Sequence, residues 1–315
     1  MGARGSTTHC CWSAGAVALA SPLVDCKDTL DEQPVTPAFE LPVIVASELT
    51  VLGTIGNRGR GRVARADFRG RAVAVRFLNE KLTDSFCRYA LRVHRLESSN
   101  IVALVGVMDP RSYTPSLVTE FMDGGTVEQL VERKHRADEE RKALDPSLLD
   151  VAIAVADGLT ALHGINLVYE HFQPRNVLLN SKGAIKLSDV TSALDFTCEM
   201  TMCTNRSESY YWAPEILMHE IDVPTIAANI YSLGILLVEL STLETPYIEA
   251  YHKGLSHIKI LLAIEECHLT PALRDDCPDW YRELVALCLL SDPTQRPTAR
   301  DVARALREGS AKPCA

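Results

Sequence analysis

The first part of the chain alternates apolar and polar residues in short runs, most clearly at residues 71–78, which read RAVAVRFL. Val73, Val75 and Phe77 share one face of this run, so the pattern predicts a strand with one buried side. Residues 79–97 change to helical spacing and predict a helix. Glycines before the run mark turns between further short strands.

After residue 122 the spacing becomes mainly helical. An apolar stripe predicts a helix that Asp145 caps, that has Pro146 in its first turn and that ends near Gly164. The remaining segments are predicted strands at 167–169, 177–179 and 185–187 and predicted helices at 226–243, 257–266, 280–290 and 299–307. The pattern therefore favours a small β-rich lobe followed by a larger helical lobe.

Composition adds limits. The 315 residues suit one large domain or two lobes that share a cleft. A net charge of −9 argues against general nucleic-acid binding. No apolar run reaches the roughly 20 residues that a membrane-spanning helix needs. The ten cysteines lack metal-ligand spacing, which favours reduced thiols in a cytoplasmic protein.

The start of the chain allows three readings. MGARGS fits the pattern for myristoylation at Gly2, and Cys10 and Cys11 follow closely as candidates for palmitoylation. Two acyl chains would hold the protein at a membrane surface. Residues 14–20 are apolar and end in Ala-Leu-Ala, which resembles a secretory signal. The reading that we favour is a disordered tail over residues 1–42.

Seven short motifs follow one another along the chain. They are LGTIGNRGRGRV (52–63), VAVR (73–76), LVTEFMDGGTVEQL (117–130), YEHFQPRN (169–176), DVT (189–191), WAPE (212–215) and DPTQRPT (292–298). In this order they resemble the glycine-rich loop, the V-A-I-K strand, the hinge, H-R-D-L-K-P-x-N, D-F-G, A-P-E and a late helical motif of the eukaryotic protein kinase domain. The resemblance spans about residues 50–308 and is closest to the tyrosine-kinase-like group.

The resemblance implies an α+β class with a bilobal protein-kinase-like fold over residues 43–308 and a short tail over 309–315. A small, antiparallel, β-rich N-lobe would cover about residues 48–118. A larger, mainly α-helical C-lobe would cover about residues 123–308.

The resemblance also implies two structural features of the core. Glu215 and Arg296 stand where the family has a buried ion pair, which is costly to break from one side. Four apolar side chains would stack through both lobes: Val93, Leu104, Tyr169 and Val190.

For cofactors, the resemblance implies ATP and Mg²⁺, with Asn176 and Asp189 at the metal-ligand positions. Thr119 stands at the gatekeeper position, beside the adenine slot. The positions matching the family's nucleotide site are Gly53, Gly56, Arg58, Gly61, Val63, Ala74, Arg76, Thr119 and Leu178.

Other positions depart from the family pattern. Arg58 replaces the middle glycine of the loop, and Arg76 replaces the strand lysine. Tyr89 stands where the regulatory helix has its glutamate, so the ion pair of the active state is predicted to be absent unless Glu80 supplies a shifted partner. The catalytic aspartate is His171, its neighbouring arginine is Glu170, and the phosphate-contacting lysine is Gln173.

We interpret the chain as a pseudokinase that binds or regulates a protein partner, such as an active kinase. One alternative is an enzyme with displaced groups, in which Arg58 or Arg76 holds phosphates and His171 is the base. Another is a switch that senses ATP without turning it over. An acid against Arg76 and a second beside His171, facing an open nucleotide cleft, would contradict the inactive interpretation. Candidate phosphorylation sites are Ser207, Ser209, Tyr210 and Tyr211.

Overall fold

Short alternating runs near the start of the chain pair into one antiparallel sheet. The computed structural model describes residues 40–58, 61–79, 81–136, 145–169, 172–190, 208–218 and 225–311. Its first strands are β1 (Leu49–Arg58), β2 (Gly61–Phe68), β3 (Arg71–Phe77), β4 (Leu104–Met108) and β5 (Ser116–Glu120). Their order across the sheet is β1-β2-β3-β5-β4.

The strand predicted at residues 71–78 is confirmed as β3. Val73 and Val75 are buried and Phe77 is half-buried on the inward face, as the alternation requires. Helix α1 (Asp84–His94) follows, and it is shorter than the helix predicted at 79–97. It begins where it does because the Thr83 side chain accepts a hydrogen bond from the backbone N–H of Phe86.

The packed domain begins earlier than the sequence indicated. Leu41 and Ile44 are buried against the sheet. The Val107 backbone binds this segment on both sides, donating to the Pro42 carbonyl at 2.9 Å and accepting from the Ile44 N–H at 2.8 Å. Residues 41 and 42, which we had assigned to the tail, therefore belong to the domain.

The second part of the chain is mainly helical. A small sheet is formed by β6 (Gly125–Thr126), β7 (Val177–Leu179) and β8 (Ile185–Leu187). The helices are α2 (Val127–His135), α3 (Leu148–Gly164), α4 (Pro214–Leu217), α5 (Ile226–Thr242), α6 (Ile248–His252), α7 (His257–Glu265), α8 (Asp279–Cys288) and α9 (Ala299–Ser310). Within the described ranges, no helix is both long and apolar enough to cross a bilayer.

Two local predictions were wrong. Asp145 does not cap α3, because its carboxylate binds Arg133 at 2.8 Å, and Ser147 caps the helix instead. The strand predicted at residues 167–169 does not form. The backbone N–H and carbonyl of Tyr169 are bound by a side chain, that of Asn229, rather than by a neighbouring strand.

Helix α5 is the centre of the C-lobe, since every residue from 228 to 240 is buried. The four residues that the resemblance places in one stack are also buried. Val93, Tyr169 and Val190 lie in the large apolar cluster that contains α5, whereas Leu104 lies in a neighbouring cluster beneath the N-lobe sheet.

A buried ion pair ties α4 to the segment before α9. Arg296 donates to both carboxylate oxygens of Glu215, at 2.6 and 2.9 Å. It also donates to the carbonyls of Leu290 at 2.8 Å and Ala227 at 3.1 Å. Both side chains are almost fully buried, so each charge depends on the other for compensation.

Removing one partner should therefore be costly. We expect Glu215→Ala to lower the free energy of unfolding by about 3–5 kcal/mol, because it leaves Arg296 buried and unpaired. Urea denaturation measures this loss. Arg304→Ala breaks only solvent-exposed pairs, those with Asp301 and Glu308, and should cost less than about 1 kcal/mol. Equal, small losses in both variants would show that the Glu215 pair contributes little.

Candidate functional site

A cavity of about 390 Å³ separates the sheet of the N-lobe from the small sheet of the C-lobe. Its apolar walls include Ile55 and Val63 above and Leu178 below. Seven of the residues predicted for nucleotide or metal binding line it: Gly56, Val63, Ala74, Arg76, Thr119, Leu178 and Asp189.

Two of the predicted glycines lie elsewhere. Gly53 is exposed on β1. Gly61 is buried with a φ of 140°, and a Cβ at this position would collide with the carbonyl oxygen of Phe77. The close approach of β2 to the end of β3 therefore requires glycine at position 61 for a packing reason.

Arg76 on β3 does have an acidic partner, which is Asp189. Its Nη1 donates to Oδ1 of Asp189 across the cleft, and the two side chains are only 18% and 13% exposed. We had predicted that Arg76 lacks the ion pair with the regulatory helix unless Glu80 supplies it, and had not named Asp189 as a partner; Glu80 lies outside the described residues. Solvent screens a partly shielded pair less than an exposed one.

Asp189 is held in position by the residue before it. Ser188 donates to the Asn176 carbonyl through its backbone N–H at 2.8 Å and its hydroxyl at 2.7 Å. The carbonyl of Ser188 accepts from the Tyr169 hydroxyl at 2.8 Å. Asp189 itself has a φ of 62°, and this left-handed backbone helps to place its carboxylate against Arg76.

Helix α1 contacts the C-lobe without using Arg76. The Tyr89 side chain is buried, and its hydroxyl donates to the Val168 carbonyl at 3.3 Å. Arg92, one turn later, donates to the carbonyl of Ile165. The helix that carries the ion-pair glutamate in active kinases is thus bound here to the segment between α3 and Tyr169.

Asn229, at the start of α5, supports the same segment. Its side chain accepts from the backbone N–H of Tyr169 at 2.8 Å and donates to the Tyr169 carbonyl at 2.7 Å. It also contacts Nε2 of His163 at 3.1 Å. Burial lowers the pKa of His163, and the hydrogen bond with Asn229 opposes this shift only in part. An amide can make both backbone bonds, whereas a carboxylate could only accept.

Gln173 does not line the cleft, although we had predicted it at the phosphate-contacting position. It lines a second cavity of about 460 Å³ between α2, α5 and the loop before β7. Gln173 is buried, and its Oε1 has no hydrogen-bond partner among the described residues.

Tyr211 and Glu239 also line this second cavity, and the Tyr211 hydroxyl donates a hydrogen bond to the Glu239 carboxyl group. Burial raises the pKa of Glu239 to about 8, although the hydrogen bond from Tyr211 acts in the opposite direction. Burial also raises the pKa of Tyr211 well above its usual value.

The arrangement of a five-stranded sheet, a helix, a cleft and a helical lobe agrees with a family comparison. A family model described as protein kinase domain matches residues 49–305. The chain belongs to the protein kinase family.

Several curated kinases are similar to this kinase domain. It is 28% identical over 265 residues to a probable serine/threonine-protein kinase of Dictyostelium discoideum, covering 81% of this chain and 19% of that protein. It is 28% identical over 207 residues to mitogen-activated protein kinase kinase kinase 3 of Arabidopsis thaliana, covering 66% of this chain and 32% of that protein. A second Arabidopsis protein, a probable serine/threonine-protein kinase, is 26% identical over 291 residues, covering 90% and 26%. The chain thus spans between 19% and 32% of the length of these relatives.

Protein kinases in general use ATP with Mg²⁺, and the metal is held by an aspartate and an asparagine. Asp189 and Asn176 stand at these positions here. The Asp189 carboxylate is bound by the Arg76 guanidinium, so a divalent cation would have to displace a cation or lie next to one. As arranged, the Asp189 carboxylate does not fit a Mg²⁺ ion.

Several residues named from the sequence lie outside the described part of the chain. They are Gly2, Cys10, Cys11, Glu170, His171 and Ser207, together with the side chain of Arg58. Ser209, Tyr210 and Tyr211 are buried, so another kinase could not reach them in this conformation. Their burial does not favour their interpretation as phosphorylation sites.

Asn229 and Glu239, which contact the loop and the second cavity, were not predicted from the sequence. A signal was present, because each is a polar residue in a helix that is otherwise apolar all round. Such a residue must find a buried hydrogen-bond partner.

The pKa of Glu239 gives a pH prediction. The folded carboxyl titrates at about 8 and the unfolded one near 4.5, so the folded state holds one more proton between these values. The contribution of Glu239 to the free energy of unfolding should therefore decrease as the pH rises through this window. We expect the free energy of unfolding of the wild type minus that of Glu239→Gln, measured by urea denaturation, to decline from about pH 5 to pH 8.

His163 acts in the opposite direction, because its lowered pKa removes stability as the pH falls through about 6.5. The contribution of His163 is the same in the wild type and in Glu239→Gln, so it cancels when the two free energies of unfolding are subtracted. Glu244→Gln, at the exposed rim of the same cavity, is the matched control for replacing a carboxyl group by an amide. A difference for Glu239→Gln that does not change with pH would contradict the assigned burial of its carboxyl group.

Proposed function

We propose that this kinase domain is a catalytically impaired member of the tyrosine-kinase-like group, a pseudokinase that acts as a signalling scaffold or allosteric regulator. Its partner would be another protein, such as an active kinase. The observation that carries the proposal is the bond between Arg76 and Asp189. The guanidinium of Arg76 and the carboxylate of Asp189, which stands at the metal-ligand position, neutralise each other.

Phosphoryl transfer depends on positioning and on neutralising the charge of the migrating group. In the family, the cation of β3 is oriented by an acid on the regulatory helix, which leaves the aspartate for the metal. Here Tyr89 occupies the helix position and bonds to the Val168 carbonyl. Arg76 instead binds the carboxylate of Asp189, which stands at the metal-ligand position. This one contact therefore engages both the cation of β3 and the metal ligand.

An acidic partner of Arg76 would support catalytic activity only if it were a residue other than the metal ligand. Asp189 does not meet this condition, because the same carboxylate would have to hold the metal. The sequence adds His171 at the position of the catalytic base and Glu170 before it. A positioned base contributes about 10²–10⁴-fold, so these departures together predict very low transfer.

The scaffold role rests on the parts of the fold that are intact. Tyr89 and Arg92 hold α1 against the C-lobe, and Asn229 holds the backbone of Tyr169. Each of these bonds joins two groups of the protein. The domain can therefore present a fixed surface to a partner.

The proposed cellular location of the protein is based on the sequence alone. The cysteine pattern supports a cytoplasmic protein, and acylation at Gly2, Cys10 or Cys11 would add attachment to a membrane surface. The similarity to a mitogen-activated protein kinase kinase kinase supports a role in a phosphorylation-dependent signalling pathway.

A nucleotide-sensing switch is the second candidate. The observation that favours it is the cleft, which keeps a volume of about 390 Å³ and apolar walls at Val63, Ala74 and Leu178. Such a protein would bind a ligand in the cleft and change its affinity for a partner without turning the ligand over.

A phosphotransfer assay tests the proposed function. With radiolabelled ATP, Mg²⁺ and a generic protein substrate, we expect transfer no faster than that of His171→Ala, far below the roughly 1–100 s⁻¹ of active kinases. Thermal unfolding of both proteins controls for folding. Wild-type transfer that His171→Ala abolishes would contradict catalytic impairment and favour an enzyme with displaced groups.

A further inference from the structure

We propose that the outer face of the N-lobe sheet docks on an anionic membrane surface. The outer face is the side of the sheet opposite the cleft, and the buried residues Ala66, Val73 and Val75 belong to it. Ala74 and Arg76 point to the cleft instead, because successive side chains of a strand alternate between the two faces. The inference concerns folded residues and depends neither on acylation nor on the proposed catalytic impairment.

Positive charge is concentrated in the strands that form this face. Residues 49–77 contain seven arginines and one acidic residue, Asp67, although the whole chain carries a net charge of −9. The remainder of the chain is therefore strongly acidic. An anionic surface orients a protein with this distribution, because it attracts the arginines and repels the acidic part.

Three exposed arginines lie on the outer face or at its edge. Arg62 stacks on the ring of Phe77 at 4.2 Å, and Arg71 pairs with Phe68 between β3 and β2. Arg69, in the turn between these strands, stacks over the Phe68 ring at 5.1 Å. Both rings pack against the buried residues of the outer face, so they hold the guanidinium groups at its surface.

Two of these arginines retain an uncompensated charge. Among the residues that the structure describes, neither Arg62 nor Arg71 forms an ion pair. Glu48, in the segment before β1, is bound by Arg69. Arg62 and Arg71 can therefore bind phosphate or carboxylate groups of lipids without breaking an ion pair within the protein.

Val51 places an apolar side chain between the two uncompensated charges. It pairs with the fully buried Ala66, so the two side chains share the outer face. Ala66 lies on β2 between Arg62 and Phe68, the residue that pairs with Arg71. The two arginines therefore flank Val51 over a span of about 20 Å, at roughly 3.3 Å per residue of strand.

Val45 adds a second apolar side chain. It lies in the segment that crosses the outer face between Ile44 and Leu49, both of which pack against the buried residues of that face. Val45 is 57% exposed and Val51 is 45% exposed. Neither valine is thus buried by the fold, and both are available to a partner.

This combination favours a membrane over a soluble acidic partner. An anionic bilayer offers phosphate groups to the arginines and, just beneath them, an apolar boundary to the valines. Arginines suit such a boundary because their stems lie along apolar groups while the charge stays at the polar level. A soluble acidic peptide would use the arginines alone.

Sedimentation with lipid vesicles tests this surface, using the full chain produced without acyl groups. We expect binding to vesicles of phosphatidylcholine with about one third phosphatidylserine, and none to vesicles of phosphatidylcholine alone. Raising the salt concentration from about 0.1 M to about 1 M should release the protein, because the Debye length falls from about 10 Å to about 3 Å.

A double variant tests the arginines. Arg62→Gln with Arg71→Gln should weaken binding to the phosphatidylserine vesicles about tenfold or more, since each arginine near an anionic surface contributes about fivefold. Arg300→Gln with Arg304→Gln makes the same change of charge at exposed positions of α9 and should bind as the wild type does.

A single variant tests the apolar contact. Val51→Ser should weaken binding about threefold or more, because a polar side chain gains nothing at the apolar boundary. Ile258→Ser, at a 67% exposed position of α7, is the matched control and should leave binding unchanged. Thermal unfolding of every variant controls for folding.

Failure of the wild type to bind phosphatidylserine vesicles at low salt would overturn the inference. Equal losses in the two arginine double variants would also overturn it. Displacement by soluble polyglutamate, together with unchanged binding of Val51→Ser, would replace the membrane by an acidic protein partner. None of these results bears on catalytic impairment, which the phosphotransfer assay tests separately.

Discussion

The bond between Arg76 and Asp189 joins the two walls of the cleft and decides what the cleft can do. Arg76 lies on the central strand of the N-lobe sheet, and Asp189 follows the last strand of the small C-lobe sheet. A guanidinium and a carboxylate that satisfy each other leave neither group ready for a phosphate or a metal ion. The function that we propose follows from this pairing.

The contacts around the cleft are consistent with that pairing. Tyr89 cannot orient a cation by charge, and its hydroxyl binds a backbone carbonyl of the C-lobe. Helix α1 is thereby attached to the same segment that Asn229 holds from the other side. The core of the fold includes the buried pair of Glu215 and Arg296, whereas several letters of the catalytic motifs differ in the sequence.

Much of the fold could be predicted from the sequence, because alternation and motif order are local signals. They predicted β3, the central helix α5 and the positions of Glu215 and Arg296. Counting along the motifs also placed Tyr89 on the helix that follows β3, which is α1. Local signals failed where a side chain replaced an expected partner: Ser147 caps α3 because Arg133 engages Asp145.

The candidate site was harder to predict, because its contacts join residues that are far apart in the sequence. Arg76 and Asp189 are separated by 113 positions, and nothing in either motif predicts that they would bind each other. Alignment placed Gln173 at the transferring phosphate, yet its side chain lines a cavity on the other side of the loop. The burial of Tyr210 and Tyr211 depends on contacts with α5, with Tyr247 and with α7, which sequence position does not reveal.

A double-mutant cycle on Arg76→Met and Asp189→Asn tests the central claim most directly. The account predicts a coupling energy of about 1–3 kcal/mol in the free energy of unfolding, and predicts that adding Mg²⁺ leaves it unchanged. Arg95 and Glu40, an exposed pair, provide the reference and should couple by less than about 1 kcal/mol. Additive effects at Arg76 and Asp189, or a coupling that disappears when Mg²⁺ is added, would contradict the account.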